Sequence, residues 1–212
     1  MNAKGFTGWD VLILLTTVVL LMGLVFLANG PSERARAPRI QCVSNLKQIA
    51  LAFRMWSNEH EDQFPMTVSS SKGGAAEAVL GGDPVPAYLV VSNELNSPKL
   101  LLCPSDKERG PRATVFKGLS TRNISYLIGV DAAETNAAAI LIADRNILVP
   151  GEDQSEGLFT IAAWQGAEWS PKIHNQQGNI AFADGSALQA TQNGLQKALR
   201  NAGFVTNRFA VP

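Results

Sequence analysis

An unbroken apolar run from Val11 to Ala28, VLILLTTVVLLMGLVFLA, constrains this chain more than any other feature, and no charge occurs from Val11 through Ser32. As an α-helix rising about 1.5 Å per residue, the run covers roughly 27 Å, close to the ~30 Å hydrocarbon core of a bilayer. It has no polar stripe at a 3.6-residue period, unlike the one-sided core helix of a globular domain. Thr16, Thr17 and Gly23 suit a membrane helix, because hydroxyls can bond back to the preceding turn. A secretory signal peptide is the competing reading, with an apolar region of about 7–15 residues ending at a small-x-small site. The one such candidate, Ala35-Arg36-Ala37, is charged and lies beyond Pro31. The run reads as a retained membrane helix.

The remainder of the 212 residues is enough for one globular domain rather than two. Lys+Arg and Asp+Glu balance at 18 each, so no basic field points to nucleic acid and no acidic tail is present. Asn29-Gly30-Pro31 and Pro38 predict a kink or break after the membrane. A second helix follows from Arg39 to about Glu59. Its apolar face carries Ile40, Val43, Leu46, Ile49/Ala50, Phe53 and Trp56, and Arg39, Lys47 and Arg54 are expected to point away.

Residues Asp62 to Gly82 read as loop. Short apolar runs at Tyr88–Val91, Leu100–Leu102, Ile124–Val130, Ala138–Ala143 and Leu158–Ala163 suit a small, partly irregular antiparallel sheet. The stretch Gly178–Leu188 reads as a hairpin turning at Asp184-Gly185. If Gly185 ends a three-residue loop, Ile180, Phe182 and Leu188 share one face. A short helix over Leu195–Asn201, stopped by Gly203, is expected to close the domain.

Asp10 stands at the membrane entrance with no cation three or four residues away. A carboxylate there needs a partner. A cut between Gly5 and Phe6 would create one, an α-ammonium on Phe6 able to neutralise Asp10 of a neighbouring subunit. Here the chain resembles type IV pilin and type II secretion pseudopilin precursors. Those carry a short basic leader ending in Gly, then Phe-Thr, an acidic residue fifth after the cut, and a long apolar helix. Gly5, Phe6 and Thr7 match; Gly8-Trp9 and Asp10 depart from the two aliphatics and the Glu usual there.

A second resemblance lies further on. His174, nine residues, then Asp184-Gly185 matches the H-X9-DG signature of pilin-like proteins of planctomycete–verrucomicrobial type. In that class Cys42-Val43-Ser44-Asn45-Leu46-Lys47-Gln48-Ile49 resembles the helix after the membrane. Phe64-Pro65, Cys103-Pro104-Ser105-Asp106 and Ser125-Tyr126 resemble later landmarks.

The resemblance implies an α+β, pilin-like fold: a long N-terminal transmembrane and stalk helix packed on the sheet. The domains would be a prepilin leader (1–5), a transmembrane helix (6–30), a stalk helix (31–60) and an extracytoplasmic α+β region (61–212). It implies a non-enzymatic filament subunit in the bacterial inner membrane, with prepilin peptidase and other pilin or pseudopilin subunits as partners. No nucleic acid, small-molecule substrate or cofactor is expected. The alternative is an uncleaved single-pass protein whose outer domain binds a partner or ligand. Topology carries a conflict. Arg34, Arg36, Arg39 and Lys47, against Glu33, follow the helix, and only Lys4 and the amino terminus precede it. A positive-inside count puts the domain in the cytoplasm, whereas the resemblance puts it in the periplasm.

Catalytic signatures are lacking: no Cys-x-x-Cys, no His-Glu-x-x-His and no Gly-rich phosphate loop. Ser105-Asp106 and Ser125 lack a Gly-x-Ser-x-Gly setting. His174 and Asp184 could pair across the hairpin or bind a metal, but two ligands make a poor site, so a structural role is expected. Related pseudopilins can hold calcium on loop carboxylates, for which Asp131, Asp144 and Asp153 are too scattered. Cys42 and Cys103 can form a disulfide or stay as separate thiols.

Overall fold

The computed structural model describes residues 7–28, 31–151 and 156–212, and the chain divides into two units, one up to Pro38 and one from Arg39. The leader, Gly5, Phe6, Asn29-Gly30 and Asp153 lie outside the described residues.

The first unit contains helix α1, Gly8–Ala28. Its window Gly8–Val25 is long and apolar enough to cross a membrane, and none of it is buried. Thr16 and Thr17 donate to the carbonyls of Ile13 and Leu14 at 2.9 Å each, which satisfies both hydroxyls within the helix. At the start of α1, Thr7 donates through its amide (2.8 Å) and hydroxyl (2.7 Å) to Asp10 Oδ2.

Helix α2 runs Pro31–Asn58, with Pro38 inside it. From Arg39 onward it belongs to the second unit, where Cys42, Leu46, Ile49, Ala50, Phe53 and Trp56 are buried. This is the expected face with two corrections. Val43 is only half-buried. Ile40 is 61% exposed, and Cys42, two residues on, takes the inward position. The loop read over 62–82 contains 3-10 turns at Pro65–Thr67 and Ser70–Lys72 and helix α3, Ala76–Leu80. Helices α4, Val85–Val90, and α5, Ser92–Leu95, follow, then a 3-10 turn at Pro98–Leu101. Two of the apolar runs read as strands are thus helical, because apolar runs of four or so residues fit either period.

Eight strands follow: β1 Tyr126–Gly129, β2 Ile140–Asp144, β3 Ile147–Leu148, β4 Gly157–Ala162, β5 Glu168–Trp169, β6 Gly178–Phe182, β7 Ala187–Ala190 and β8 Thr206–Val211. Helix α6, Gln192–Asn201, precedes β8, with the Thr191 hydroxyl accepting from Gly194 N at its start. Six strands form one antiparallel sheet in the order β4-β8-β1-β2-β6-β7, and β3 and β5 pair separately. The protein is α+β. The domain closes not on α6 but on β8, which inserts between β4 and β1.

Both faces of the sheet are covered. Tyr126, Ile128, Ala181 and Ala210 pack with the buried side of α2. Their neighbours Leu127, Ile180 and Phe209 pack with Leu195 and Leu199 of α6 and with Trp169. Period-2 alternation sends successive side chains to opposite faces, which is why β1 and β2 are buried at every position. A bulge in β2 between Ile140 and Ile142 lets Leu141 and Ile142 both join the α2 side.

The hairpin forms as expected. Phe182 N donates to Ser186 O and Gly185 N to Phe182 O, both at 2.9 Å, around the loop Ala183-Asp184-Gly185. Gly185 has φ +83°, a region costly for residues with a Cβ.

Candidate functional site

Residues from four segments meet at the buried side of α2. The first is Cys42, joined by a disulfide to Cys103 with Cα atoms 5.3 Å apart. The bond ties α2 to the segment before β1. The second is Asp144, which ends β2. It lies opposite Tyr126 in the β1–β2 register, so alternation aims it toward α2, as it does Tyr126. Asp144 is 0% exposed. Its Oδ2 accepts from Asn179 N and Nδ2, each at 2.8 Å, while Oδ1 is buried without a hydrogen-bond partner among the described residues.

The third group is His174, on the loop between β5 and β6. His174, Asn175 and Gln176 have φ of +44°, +52° and +58°. Left-handed backbone costs a non-glycine residue on the order of 1 kcal/mol or more, and three in succession turn the chain so that the imidazole points inward. The side chain is 2% exposed, with Nε2 3.4 Å from Cys103 Sγ and 3.4 Å from Asp144 Oδ2. Burial pushes the Asp144 carboxyl up to about 8, against the hydrogen bonds from Asn179 that favour its ionised form. Burial, followed by the nearby charge of Arg39, pushes His174 down to about 4.

The fourth segment is the turn Cys103–Asp106, closed by Asp106 N donating to Cys103 O at 3.0 Å. Asp106 accepts both prongs of Arg145, at 2.8 and 2.9 Å. Arg145 also donates to Glu108 (3.0 Å), which pairs with Lys172 at 3.2 Å. Asn45 on α2 donates to Tyr126 OH at 3.5 Å, and Tyr88 OH donates to Tyr126 O at 3.1 Å. Desolvation raises both phenols.

Landmarks dispersed along the sequence therefore converge: Cys42 and Asn45, Cys103 and Asp106, Tyr126, and His174. Phe64 is fully buried in the same apolar cluster as Cys42 and Tyr126, and Pro65 opens a 3-10 turn. The expected pair at the hairpin does not form. His174 and Asp184 share no hydrogen bond; Asp184 Oδ1 accepts from Ser186 N at 2.8 Å, and its carbonyl accepts from Arg54. Arg54 does not point away from the fold, since it also lies 3.6 Å from Glu134. Arg39 likewise is partly buried and acts electrostatically on Asp144. Of the other groups weighed, Asp131 pairs with Arg208, and His60 stacks on Trp56 with ring centroids 3.6 Å apart. Asp144, Asn179 and Arg145 are the site residues that sequence reasoning did not bring together, because no local motif marks them.

Cys42, Cys103, Asp144 and the His174 ring are closed to solvent and have no face to offer a substrate. What they can do is hold elements together. Comparison with family models, with curated proteins and with solved structures finds no match.

Proposed function

We propose that this chain is a structural, pilin-like or pseudopilin-like subunit. Helix α1 holds it in a bacterial inner membrane, with the domain from Arg39 onward in the periplasm. Prepilin peptidase cuts between Gly5 and Phe6, and α1 then packs against its counterparts in a filament of a type IV pilus or type II secretion system.

The observation that carries this reading is α1 itself. Trp9, Leu12, Leu15, Val19, Met22 and Val25 are each more than half exposed, so the helix is apolar on every side. A soluble monomer rarely leaves a contiguous apolar surface of this extent in water; lipid or neighbouring helices must cover it. Asp10, which accepts from Thr7 among the described residues, can exchange that partner for the Phe6 ammonium of a neighbour. The Cys42–Cys103 disulfide supports the periplasmic side over the positive-inside count, because disulfides persist in oxidising compartments and are rare in the cytosol.

A second reading, an uncleaved anchor whose domain binds a partner, is favoured by one observation. An open groove of about 430 Å³ runs between the β6–β7 hairpin and α6, lined by Phe182, Leu188 and Ala198 with Asp184 and Lys197. Intact mass of the membrane-extracted protein separates the two. The filament reading expects a chain lacking residues 1–5, and a chain still beginning at Met1 supports the uncleaved anchor.

A further inference from the structure

We infer that the loop from Pro111 to Arg122 docks on anionic phospholipid, lying against the headgroups of the membrane that α1 enters. Such a contact rests on the membrane anchor of the proposed function and adds an electrostatic hold on the same bilayer.

The loop has two distinct faces. Its ends are clamped together, Gly110 N donating to the carbonyl of Arg122 and Asn123 Nδ2 to the carbonyl of Pro111, each at 2.8 Å. Close ends and packing by its own side chains are the marks of an Ω-loop. Ala113, Phe116 and Leu119, spaced by three, pack on the apolar cluster that contains Cys42 and Tyr126. Between them Arg112, Val115, Lys117 and Arg122 face solvent, and Val115 is 61% exposed. The loop carries three cations and no acid, and these cations form no ion pair among the described residues. The acids just before it, Asp106 and Glu108, are taken by Arg145. The outer face is cationic around one aliphatic side chain.

The chain itself keeps this face near lipid. Ten residues, 29–38, separate α1 from Arg39, a reach of at most about 40 Å even when fully extended. Within the domain, the disulfide fastens Cys103, eight residues before the loop, to Cys42, three residues after Arg39. A tether this short makes contact with the bilayer an intramolecular encounter at high effective concentration. Each Lys or Arg beside an anionic leaflet favours contact about fivefold. A nucleic-acid strand fits less well, because it is held by exposed aromatic rings as well as by charge, and the loop's one aromatic residue, Phe116, packs on the core.

The test uses the full chain with one added thiol, Val115→Cys, since the native cysteines are joined to each other. A fluorophore on that thiol is read in phosphatidylcholine vesicles, with or without phosphatidylglycerol, that carry a nitroxide quencher at the headgroups. We expect strong quenching with phosphatidylglycerol, little without it, and its loss near 1 M salt, where the Debye length is about 3 Å. Arg112→Gln, Lys117→Gln and Arg122→Gln together should lower the docked-to-free ratio about a hundredfold, with an unchanged melting curve. The same fluorophore at Val205→Cys should stay bright. Val205 is 71% exposed and precedes β8, which runs antiparallel to β1, so it lies at the other end of the sheet from the loop. Quenching that ignores lipid charge, persists in the triple variant or is equal at both positions overturns the inference. So does a chain that floats with neutral vesicles but is not quenched with phosphatidylglycerol, an outcome that leaves the anchor standing. A chain that fails to float with neutral vesicles removes the anchor, and this contact with it. A response to RNA and none to phosphatidylglycerol would assign the loop to nucleic acid instead.

Discussion

The guanidinium of Arg54 on α2 donates to the backbone carbonyl of Asp184, 130 residues later. The turn that follows is thereby fastened to the helix as well as to its own strands. A Cβ on Gly185 would meet Arg54 Cδ at 3.2 Å, with φ at +83°. Gly185→Val should therefore destabilise the domain by about 1–3 kcal/mol. Asp184→Asn should cost less, since the Asn side-chain oxygen keeps the hydrogen bond from Ser186 N. Denaturant titration of both variants checks the order, and the reverse order would break the assignment.

Gly129 in β1 is a stricter position. A Cβ there would sit 1.9 Å from Ile140 O, beside the β2 bulge, where the obstacle is backbone that cannot rotate away. Gly129→Ala should cost about 3 kcal/mol, at the upper end of overpacking penalties. A drop in melting temperature smaller than that of Gly185→Val would contradict this packing.

The Asp106 side chain is 0% exposed and that of Arg145 is 10% exposed. Removing one partner of such a pair strands the other charge, at about 3–5 kcal/mol. Asp106→Ala should fall at or below the lower end of that range, because Arg145 keeps Glu108 and other interactions. Urea midpoints of Asp106→Ala and of the double variant with Arg145→Met decide it, because the double variant should recover much of the loss.

Acid stability should depend on Glu77. Its carboxylate accepts from Ser69 Oγ at 2.6 Å and Ser70 N at 2.8 Å, and these bonds, Ser69 first, hold the carboxyl down to about 2 from 4.5. The folded value lies below the unfolded one, so the contribution is complete above 4.5 and is lost as pH falls through about 2. The stability difference between wild type and Glu77→Gln should shrink across that window. A difference that is flat from pH 5 to 2 would count against the linkage.

Maturation depends on Gly5 in the proposed function. Gly5→Leu should leave the chain beginning at Met1, because a peptidase pocket shaped for no side chain cannot take an isobutyl group. N-terminal sequencing that still finds Phe6 first would remove the prepilin reading.

By itself the sequence determined the elements whose signals are local. An apolar run without a polar face makes α1, and a 3.6-residue apolar period makes the buried side of α2. Asp-Gly between alternating runs makes the β6–β7 hairpin. Tertiary structure decided what local signals cannot carry. Tyr88 is part of a helix because it packs edge-on against Phe53, a neighbour 35 positions away that no window contains. Thr206–Val211 becomes a strand because β1 and β4 both offer it unpaired backbone. His174 and Asp184, joined in the sequence by a fixed spacing, separate because β6 runs between them, carrying the chain about 3.3 Å per residue. That strand leaves Asp184 with Arg54 near the end of α2 and brings His174 to Asp144 and Cys103 beside Cys42. Which residues meet His174 follows from the pairing of β2 with β6 through the backbone, and backbone pairing is common to every sequence that can form a strand.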